Sequence, residues 1–522
     1  MTYLTGVISA SDIKQVRSQV RTAVKRGAQM LEMRTDYLEN LNTEVFRKAF
    51  TFSKTSNLPI IVTCRDKRQG GANEYSAELR SEILVTAIKT AADYVDCEFD
   101  NYVVSQFREK LDLALAETSR TRLIVSAHNF DGPFNNIDRL YRDILTVAPA
   151  SIPKLVYTAK HINDCFDGLR LLSRKHGQAI VLVMGPEGIF SRIIAKRLGC
   201  FANYAGISHD EGTAPGQLTI DELRNSYRYD AIDEKTLLYG VIGSPIAHSL
   251  SPAIFNACFG DSGMNRLYLP MHVQDSKEQF YTFMQNANQS WLGFRGFSVT
   301  IPHKKNALDF VRERGGRVEP PAARIGAVNT ILIDSEGNFS AYNTDYAGAL
   351  GAITSTLGIS AQQLQGTKAA VIGAGGVSRA IVAGLRDVGA DVVIYNRTVS
   401  KADALAAEFG CRAAPLSSLA SFKADLLINA TSIGMFPDMD KTPLVQKYLS
   451  KDTVVFDTVY NPIETRLLKA ARAVGAKTID GAAMFVAQAA AQFKLFTGEQ
   501  ANTRLMRKIV AGRLGTLNVS SG

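Results

Sequence analysis

Residues 371–380 read VIGAGGVSRA, a glycine-rich turn that follows an apolar run and opens a helical one. Glycines permit a tight turn here and let the backbone approach a pyrophosphate, which the positive end of the following helix attracts. In this strand–turn–helix context the pattern predicts a domain that binds a dinucleotide, although a structural turn without a ligand is the alternative. The predicted contacts come from Gly373, Ala374, Gly375, Gly376 and Val377.

The next predicted strand, Asp391–Tyr395, indicates which dinucleotide is bound. It ends at Asn396, Arg397 and Thr398, where a Rossmann domain that binds NAD usually places an acidic side chain for the ribose 2′-hydroxyl. This turn has no acid, and Arg397 can pair with a 2′-phosphate. The sequence therefore favours NADP as the cofactor, although a single exposed arginine can also be ordinary surface charge.

Length and composition limit the protein class. A chain of 522 residues is too long for one hydrophobic core, so we expect two or three domains of an α/β protein. The net charge of +9 comes from scattered basic residues, which favours small anionic ligands over nucleic acid. Neither a secretory segment nor a long apolar run is present, which predicts a cytoplasmic protein with no membrane partner. The spacing of the six cysteines predicts no metal site.

The N-terminal half alternates short apolar runs with amphipathic stretches such as Lys14–Arg26, Ser76–Ala92 and Asn163–Lys175. About eight βα repeats predict a (β/α)₈ TIM barrel. A polar segment, Arg224–Lys235, then looks like a linker before a new strand at Leu237–Ile242. We predict a barrel at 1–228, an α/β substrate domain at 236–345 completed by 481–522, and a Rossmann domain at 346–480. The candidate barrel strands lie near Val7, Met30, Ile60, Tyr94, Leu123, Leu155, Ile180 and Phe201.

Charged and polar residues stand at the ends of several predicted barrel strands. Catalytic groups of such barrels gather at the C-terminal strand ends, and residues two apart share a face. A buried structural ion pair explains any one of these pairs equally well, but together they favour a site, because buried charges are costly unless paired or used. The residues are Glu32 with Arg34, Asp96 with Glu98, Ser126 with His128, and singly Arg65 and Lys154.

Lys154 is the most informative of them. Its neighbours in 152–156 are apolar, which predicts a desolvated ammonium with a lowered pKa, and a neutral amine can attack a ketone. His128 could then act as general base and acid, since imidazole titrates near neutrality. A lysine whose ammonium reaches solvent at the strand end is the alternative.

Three segments of the second half carry further polar groups. Ser249 and Ser251 precede a helix predicted near Pro252 and can bind a carboxylate. Phe297–Lys304 and Ala341–Asp345 each end on a charged residue beside a strand end. The alternative interpretation of Lys304, taken alone, is a surface residue at the start of a helix.

The N-terminal half resembles type I 3-dehydroquinate dehydratase. The resemblance implies a Schiff base between Lys154 and the substrate ketone, with His128 removing the adjacent proton and helping water to leave. It also implies that Arg192 and Gln217 hold the carboxylate and that Glu32, Arg34 and Arg65 contact ring hydroxyls. Two residues depart from the family, Gln69 for a glutamate that supports the histidine and Thr213 for a serine near the substrate. The matching motifs are Glu32–Arg34, Thr63–Arg65 with Gly70-Gly71, Ser126–Phe130, Pro153-Lys154, Met184-Gly185, Ser191-Arg192 and Ala214–Gln217.

The C-terminal half is similar to shikimate dehydrogenase, with Gly326–Thr330, Asn429–Thr431, Tyr460–Pro462 and Gly481–Gln488 as further motifs. The resemblance implies that Lys304 and Asp345 form the catalytic pair, with Lys304 donating a proton as NADPH delivers hydride. Ser298 replaces an asparagine of many relatives, and the helices near Met484–Phe496 are expected to fold back onto the substrate domain. Other implied contacts are Asn329 and Gln488 to hydroxyls, Ser249, Ser251, Thr300 and Tyr460 around the carboxylate, and Thr431 and Gly481 to the cofactor.

Together the two halves predict a bifunctional enzyme. Dehydration of 3-dehydroquinate gives 3-dehydroshikimate, which is the ketone that the second half would reduce to shikimate. The expected partners are these small-molecule substrates, and the oligomeric state is not predicted. Two alternatives stay open: a quinate/shikimate dehydrogenase of broader specificity, and a regulatory pseudoenzyme of quinate metabolism.

Overall fold

The computed structural model describes residues 2–208, 216–247, 249–421 and 423–517. It divides into two compact units, one of residues 1–237 with 265–293 and one of residues 238–264 with 294–522. The predicted domain limits near 228, 345 and 480 stay predictions. In the described part, no helix is long and apolar enough to cross a membrane.

The first unit contains an eight-stranded parallel sheet in the order β7-β6-β5-β4-β3-β2-β1-β8, and β7 also contacts β8. The predicted (β/α)₈ barrel is confirmed. Its strands are β1 (Tyr3–Ile8), β2 (Met30–Arg34), β3 (Ile60–Thr63), β4 (Tyr94–Glu98), β5 (Arg122–Asn129), β6 (Ile152–Thr158), β7 (Ile180–Met184) and β8 (Ala202–Ala205). The helices between them are α1 (Ile13–Arg26), α2 (Thr43–Ser53), α3 (Ala77–Lys89), α4 (Phe99–Tyr102), α5 (Ser105–Ala116), α6 (Ile137–Val147), α7 (Cys165–Arg174) and α8 (Ile189–Ile194).

Local sequence explains how several barrel helices begin. Asp12 and Ser76 accept backbone N–H groups at the starts of α1 and α3, which satisfies donors that the first helical turn leaves free. Strands such as β2, β3 and β7 are buried along their whole length. This is expected of a parallel sheet whose two faces are both covered.

The segment Arg224–Lys235, which composition predicted to be a linker, is instead packed against the barrel. Tyr229 is fully buried within it, and Lys196 Nζ donates to the Tyr229 carbonyl at 2.9 Å. Arg224 donates to the Arg26 carbonyl at 3.0 Å. A few apolar side chains in a polar stretch are enough to fix it, because each removes apolar area from water.

The second unit contains strands of a mixed sheet, in the order β9-β11-β13-β14-β12. β9 and β11 are parallel, whereas β13 is antiparallel to both β11 and β14. Its elements up to residue 357 are β9 (Leu237–Gly243), α9 (Ser251–Asp261), β11 (Phe294–Val299), α11 (Lys304–Glu313), β12 (Arg317–Val318), α12 (Pro320–Ile325), β13 (Thr330–Ile333), β14 (Phe339–Tyr342) and α13 (Thr344–Leu357). The intervening β10 (Arg266–His272) and α10 (Lys277–Ala287) belong to the first unit.

The nucleotide-binding fold predicted from the glycine-rich turn is also present in this unit. Six parallel strands lie in the order β17-β16-β15-β18-β19-β20, so the strand order reverses between β15 and β18, where ligands bind in doubly wound sheets. The elements are β15 (Lys368–Ile372), α14 (Gly376–Asp387), β16 (Asp391–Asn396), α15 (Val399–Phe409), β17 (Arg412–Pro415), β18 (Leu426–Asn429), β19 (Val454–Asp457), α16 (Arg466–Ala473), β20 (Thr478–Ile479), α17 (Gly481–Thr497) and α18 (Thr503–Leu517).

Helix α17 returns from the nucleotide sheet to the mixed sheet, as the resemblance implied. Tyr239 donates its hydroxyl to the Phe496 carbonyl at 3.1 Å, and Ser298 donates to Gln492 Oε1 at 2.7 Å. α17 also packs tightly on α13, because a Cβ at Gly348 would lie 2.9 Å from Gln488 Cβ. The two helices therefore join the two sheets of this unit.

Candidate active sites

The centre of the barrel holds a cluster of buried charges around Lys154. Its Nζ donates to Asp96 Oδ2 at 2.8 Å and to Glu32 Oε1 at 3.2 Å. The Tyr204 ring lies 4.2 Å from Nζ, and its buried hydroxyl has no hydrogen-bond partner within the described ranges. The sequence neighbours of Lys154 predicted an apolar environment, but the structure surrounds its ammonium with carboxylates and an aromatic ring.

Arg65 links the same carboxylates to the neighbouring strands. It donates to Asp96 at 2.9 Å, to Glu98 at 2.9 Å and to Ser126 Oγ at 2.7 Å. Burial alone would raise the pKa of Asp96, but the charges of Arg65 and Lys154 outweigh burial and hold it well below its usual range. Asp96 therefore stays ionised and anchors both cations.

Arg34 lies at the rim of this cluster. It pairs with Asp36 through two hydrogen bonds of 2.8 Å and donates to the Gly70 carbonyl at 3.1 Å. A guanidinium held in a bidentate pair has little freedom to rotate. Its position relative to a ligand is therefore fixed by the protein.

His128 lies near Lys154 on the adjacent strand. Ser126 of β5 is in register with Lys154 of β6, so His128, two residues on, faces the same side of the sheet. Burial lowers the pKa of His128 well below its ordinary value, and the positive charges of Arg65 and Lys154 lower it further. The imidazole is therefore neutral at neutral pH and available as a base.

Arg192 supplies a buried cation next to the end of β7. It lies in α8 and donates to the Val183 carbonyl at 2.8 Å, and no acidic side chain of the described residues pairs with it. Burial lowers its pKa to about 10. Gln217 follows Gly216, whose positive φ and contact with the Gly185 carbonyl require glycine, whereas Thr213 lies outside the described residues.

The second candidate site contains the ion pair of Lys304 and Asp345, which are in direct hydrogen-bond contact. Lys304 begins α11, and Asp345 is the second residue of α13. A Cβ at Gly376 would lie 3.7 Å from Lys304 Cδ. The pair therefore adjoins the start of α14, beside the predicted pyrophosphate turn.

Asn329 is fixed close to Asp345. Its Oδ1 accepts from the Thr344 backbone N–H at 2.8 Å, and its Nδ2 donates to Thr344 Oγ1 at 3.0 Å. Gln492, which sequence reasoning missed, donates to the Asn329 carbonyl at 3.1 Å. Its spacing of four residues from Gln488 places both on one face of α17 and was the available signal.

The predicted carboxylate contacts lie at two places in the second unit. Ser249 Oγ accepts from the Ser251 backbone N–H at 3.3 Å after β9, and Thr300 follows β11, which is parallel to β9. Parallel strands end at one edge of a sheet, so these three hydroxyls share that edge. Tyr460 follows β19 of the nucleotide sheet, and its ring stacks on Phe485 at 4.7 Å.

The glycine-rich turn lies at the reversal of strand order. Gly373 has φ +114°, and a Cβ there would lie 2.8 Å from the Ala430 carbonyl, so only glycine fits. A Cβ at Gly375 would meet nothing within 4 Å, which leaves open space beside the N-terminus of α14. Ala374 and Val377 pack against the core below the turn. The turn thus has both the space and the polarity for a pyrophosphate.

Other predicted cofactor residues lie at the end of β16 and at the start of α17. Asn396 donates to the Thr398 carbonyl at 2.8 Å, and Arg397 between them is exposed, with no ion pair to any described residue. Gly481 begins α17, and a Cβ there would lie 2.4 Å from the Val459 carbonyl. Close packing against Val459 is therefore enough to explain why position 481 is a glycine, without a cofactor contact.

Asp457, at the end of β19, was not predicted as a site residue. Its Oδ1 accepts from Asn429 Nδ2 at 2.9 Å, while Thr431 donates to Asn429 Oδ1 at 2.7 Å. Burial raises the pKa of the Asp457 carboxyl to about 6, against the opposite effect of the hydrogen bonds that it accepts from Thr465, the Val459 backbone N–H and Asn429. The network holds Thr431 beside Gly373, and sequence alone does not separate such an acid from a surface aspartate.

Four family models match the chain in succession. Residues 7–234 match type I 3-dehydroquinase, and residues 241–331 match the shikimate dehydrogenase substrate binding domain. Residues 357–456 match shikimate/quinate 5-dehydrogenase, and residues 481–511 match the shikimate 5′-dehydrogenase C-terminal domain.

One relative spans both halves. A chloroplastic bifunctional 3-dehydroquinate dehydratase/shikimate dehydrogenase of Arabidopsis thaliana is 35% identical over 519 residues, which cover 97% of this chain and 83% of that protein. The chain belongs to this bifunctional family. The resemblance of each half is confirmed, and the protein is an enzyme with a lyase half and an oxidoreductase half.

The dehydrogenase half has further relatives. Shikimate dehydrogenase (NADP(+)) of Methanosarcina mazei is 41% identical over 284 residues, covering 52% of this chain and 97% of that protein. A crystal structure of a shikimate dehydrogenase in complex with NADP+ is 37% identical with a TM-score of 0.50, covering 54% of this chain and 96% of the other. The prediction of NADP agrees with the names of both relatives.

Proposed function

We propose that the barrel dehydrates 3-dehydroquinate through an imine on Lys154. The observation that supports this most strongly is the buried Lys154 amine, held by Asp96 and Glu32 on the same side of the sheet as a neutral His128. Arg192, a buried cation without a carboxylate partner among the described residues, would receive the substrate carboxylate. Gln217 and Thr213 would complete that contact, and Arg34 and Arg65 would bind ring hydroxyls.

The dehydration follows from these roles. Lys154 Nζ, once deprotonated, adds to the substrate ketone, and loss of water gives the imine. His128 removes a proton from the adjacent carbon, the C–H electron pair forms a C=C bond to the imine carbon, and the C=N π pair moves onto nitrogen to give an enamine. The enamine then expels the hydroxyl of the next carbon, which takes the proton from His128 and leaves as water. Hydrolysis of the remaining imine releases 3-dehydroshikimate and restores Lys154.

For the second half, we propose reduction of 3-dehydroshikimate to shikimate. NADPH, when bound, would supply the hydride, and the glycine turn at Gly373–Val377 with Arg397 fits its phosphates. Lys304 would donate the proton that the ketone oxygen needs, and Asp345 would hold Lys304 in position. Asn329 and Gln488 would bind ring hydroxyls, while Ser249, Ser251, Thr300 and Tyr460 would bind the carboxylate.

The partners, the cellular location and the domain limits of the protein are also proposals. We propose small-molecule substrates as the partners and a cytoplasmic location, supported by six free cysteines, a state typical of reducing compartments. Among the described residues, no group of three His, Cys, Asp or Glu side chains could hold a metal ion. We keep 1–228, 236–345 with 481–522, and 346–480 as the proposed domains.

A coupled assay tests the proposal. Purified protein given 3-dehydroquinate and NADPH should oxidise the nucleotide and form shikimate, because the product of the first site is the substrate of the second. Supplying 3-dehydroshikimate directly separates the two steps, and quinate with NADP+ tests the broader specificity. A protein that converts neither substrate would contradict the enzyme proposal and favour a regulatory role.

Arg397 is expected to select NADPH over NADH. Replacing it with Ala should lower the ratio of kcat/KM for NADPH to that for NADH by about ten- to hundredfold, because a charge-assisted phosphate contact is worth about 1.5–3 kcal/mol. Arg412→Ala is the matched control, since this exposed arginine pairs with Asp391 at 2.8 Å in the same sheet. An unchanged ratio in Arg397→Ala would remove this residue from the cofactor site.

A further inference from the structure

Gln69, in the loop after β3, lies directly beside His128. It is an amide at the position where the resemblance to the family leads us to expect the carboxylate of a glutamate. Gln69 Oε1 accepts from the His128 backbone N–H at 3.1 Å and lies 3.3 Å from its Nδ1. At its other end, Gln69 Nε2 donates to Asp100 Oδ2 at 2.9 Å. Gln69 thus connects His128, the proposed base, to the exposed carboxylate of Asp100.

The two loops that carry these residues are tied together. Asp66, two residues before Arg68, accepts from Arg68 and pairs with Arg80 at 2.6 Å. Asn101, adjacent to Asp100, donates to Asp66 at 3.2 Å and to Glu98 at 2.8 Å. Because the loops after β3 and β4 share these bonds, the distance between Gln69 and Asp100 is fixed by buried contacts.

An amide has two chemically different ends, and Asp100 distinguishes them. An ionised carboxylate only accepts hydrogen bonds, so it can bind Gln69 through Nε2 alone. Oε1 must then face His128, where it favours the tautomer with the proton on Nδ1. In that tautomer Nε2 carries the free electron pair of the base.

We propose that Asp100 is a positioning residue of the dehydratase, which fixes the tautomer of His128 by orienting the amide of Gln69. A glutamate at position 69 would need no such partner, because its two oxygens are equivalent acceptors. Asp100 therefore matters only while residue 69 is an amide. The inference rests on the proposed dehydratase activity.

The test is a double-mutant cycle of Asp100→Asn and Gln69→Glu, with dehydratase kcat and KM measured at pH 7. In the native background, Asp100→Asn should lower kcat about three- to tenfold with little change in KM, because asparagine accepts either end of the Gln69 amide. In the Gln69→Glu background, the same change should leave kcat unchanged or raise it, since it removes a like charge beside the new carboxylate. Asp131→Asn, an exposed acid three residues after His128, is the matched control and should have no effect.

A direct readout is the ¹⁵N spectrum of histidine-labelled protein, in which His128 is assigned with His128→Gln. The native protein should show the Nδ1–H tautomer, and Asp100→Asn should show a mixture. An equal loss of kcat from Asp100→Asn in both backgrounds, no loss in either, or an Nε2–H tautomer in the native protein would overturn the inference. Absence of dehydratase activity in the native protein would instead contradict the proposed function.

Discussion

Replacing Lys154 with Met is expected to lower the dehydratase kcat by at least about 10⁴-fold, because the proposed imine forms on the Lys154 amine and methionine has no amine to replace it. The change also removes a cation from the buried carboxylates Asp96 and Glu32, and the loss of a compensating charge destabilises the fold. Lys154→Arg therefore accompanies it, because arginine keeps the charge but is too weak a nucleophile to form the imine. Both variants should be inactive as dehydratases and keep the dehydrogenase activity.

Reduction with borohydride and mass spectrometry test the same imine directly. Treating native protein with 3-dehydroquinate and borohydride should reduce the imine and add mass to the peptide that contains Lys154, whereas Lys154→Arg should remain unmodified. Lys160→Met is the control, since this exposed lysine follows β6 but lies outside the charge cluster. A modified lysine elsewhere, or more than about 1% of native activity in both Lys154 variants, would contradict the imine assignment.

Replacing Lys304 with Ala should lower the dehydrogenase kcat by about 10²- to 10⁴-fold, the usual contribution of a positioned proton donor. The KM for NADPH should change little, because the proposed cofactor contacts come from the glycine turn and Arg397 and not from Lys304. Dehydratase activity of the same sample should be unaffected and serves as an internal reference for the amount of protein.

The neighbouring lysine provides a matched control for this prediction. Lys305 is exposed and pairs with Asp309 at 2.7 Å along α11, so Lys305→Ala should keep native activity within about twofold. Stopped-flow measurement of nucleotide oxidation with 3-dehydroshikimate separates the chemical step from product release. Equal losses in both variants would indicate damage to α11 rather than loss of a proton donor.

The barrel and the nucleotide sheet were predictable because their signals are local. Most buried strands contain a short apolar run, and Gly373 stands at a turn that excludes a side chain. The environment of Lys154 was not predictable in this way. Its partners Asp96 and Glu32 lie 58 and 122 residues away, so its apolar sequence neighbours describe the strand and not the surroundings of Nζ.

Other parts of the sites depend on contacts between elements. Composition predicted Arg224–Lys235 to be a linker, but burial of Tyr229 depends on a surface that only the folded barrel creates. The resemblance to shikimate dehydrogenase implied that Lys304 and Asp345 form a pair, but the residue patterns alone indicated only a charged residue beside each of two strand ends. Their contact depends on α11 and α13 starting side by side. Gln69 was visible as a departure from the family, whereas its bond to Asp100 could not be inferred from one sequence.

The return of α17 to the mixed sheet sets an order of events during synthesis. The barrel strands are complete once Ala205 has been made, and domains generally fold in the order in which they leave the ribosome. The core around Tyr239 and Ser298, by contrast, lacks Phe496 and Gln492 until almost the whole chain has been translated. We therefore expect the nascent dehydrogenase half to expose apolar surface until α17 has been synthesised. It should depend on chaperones more than the barrel that precedes it.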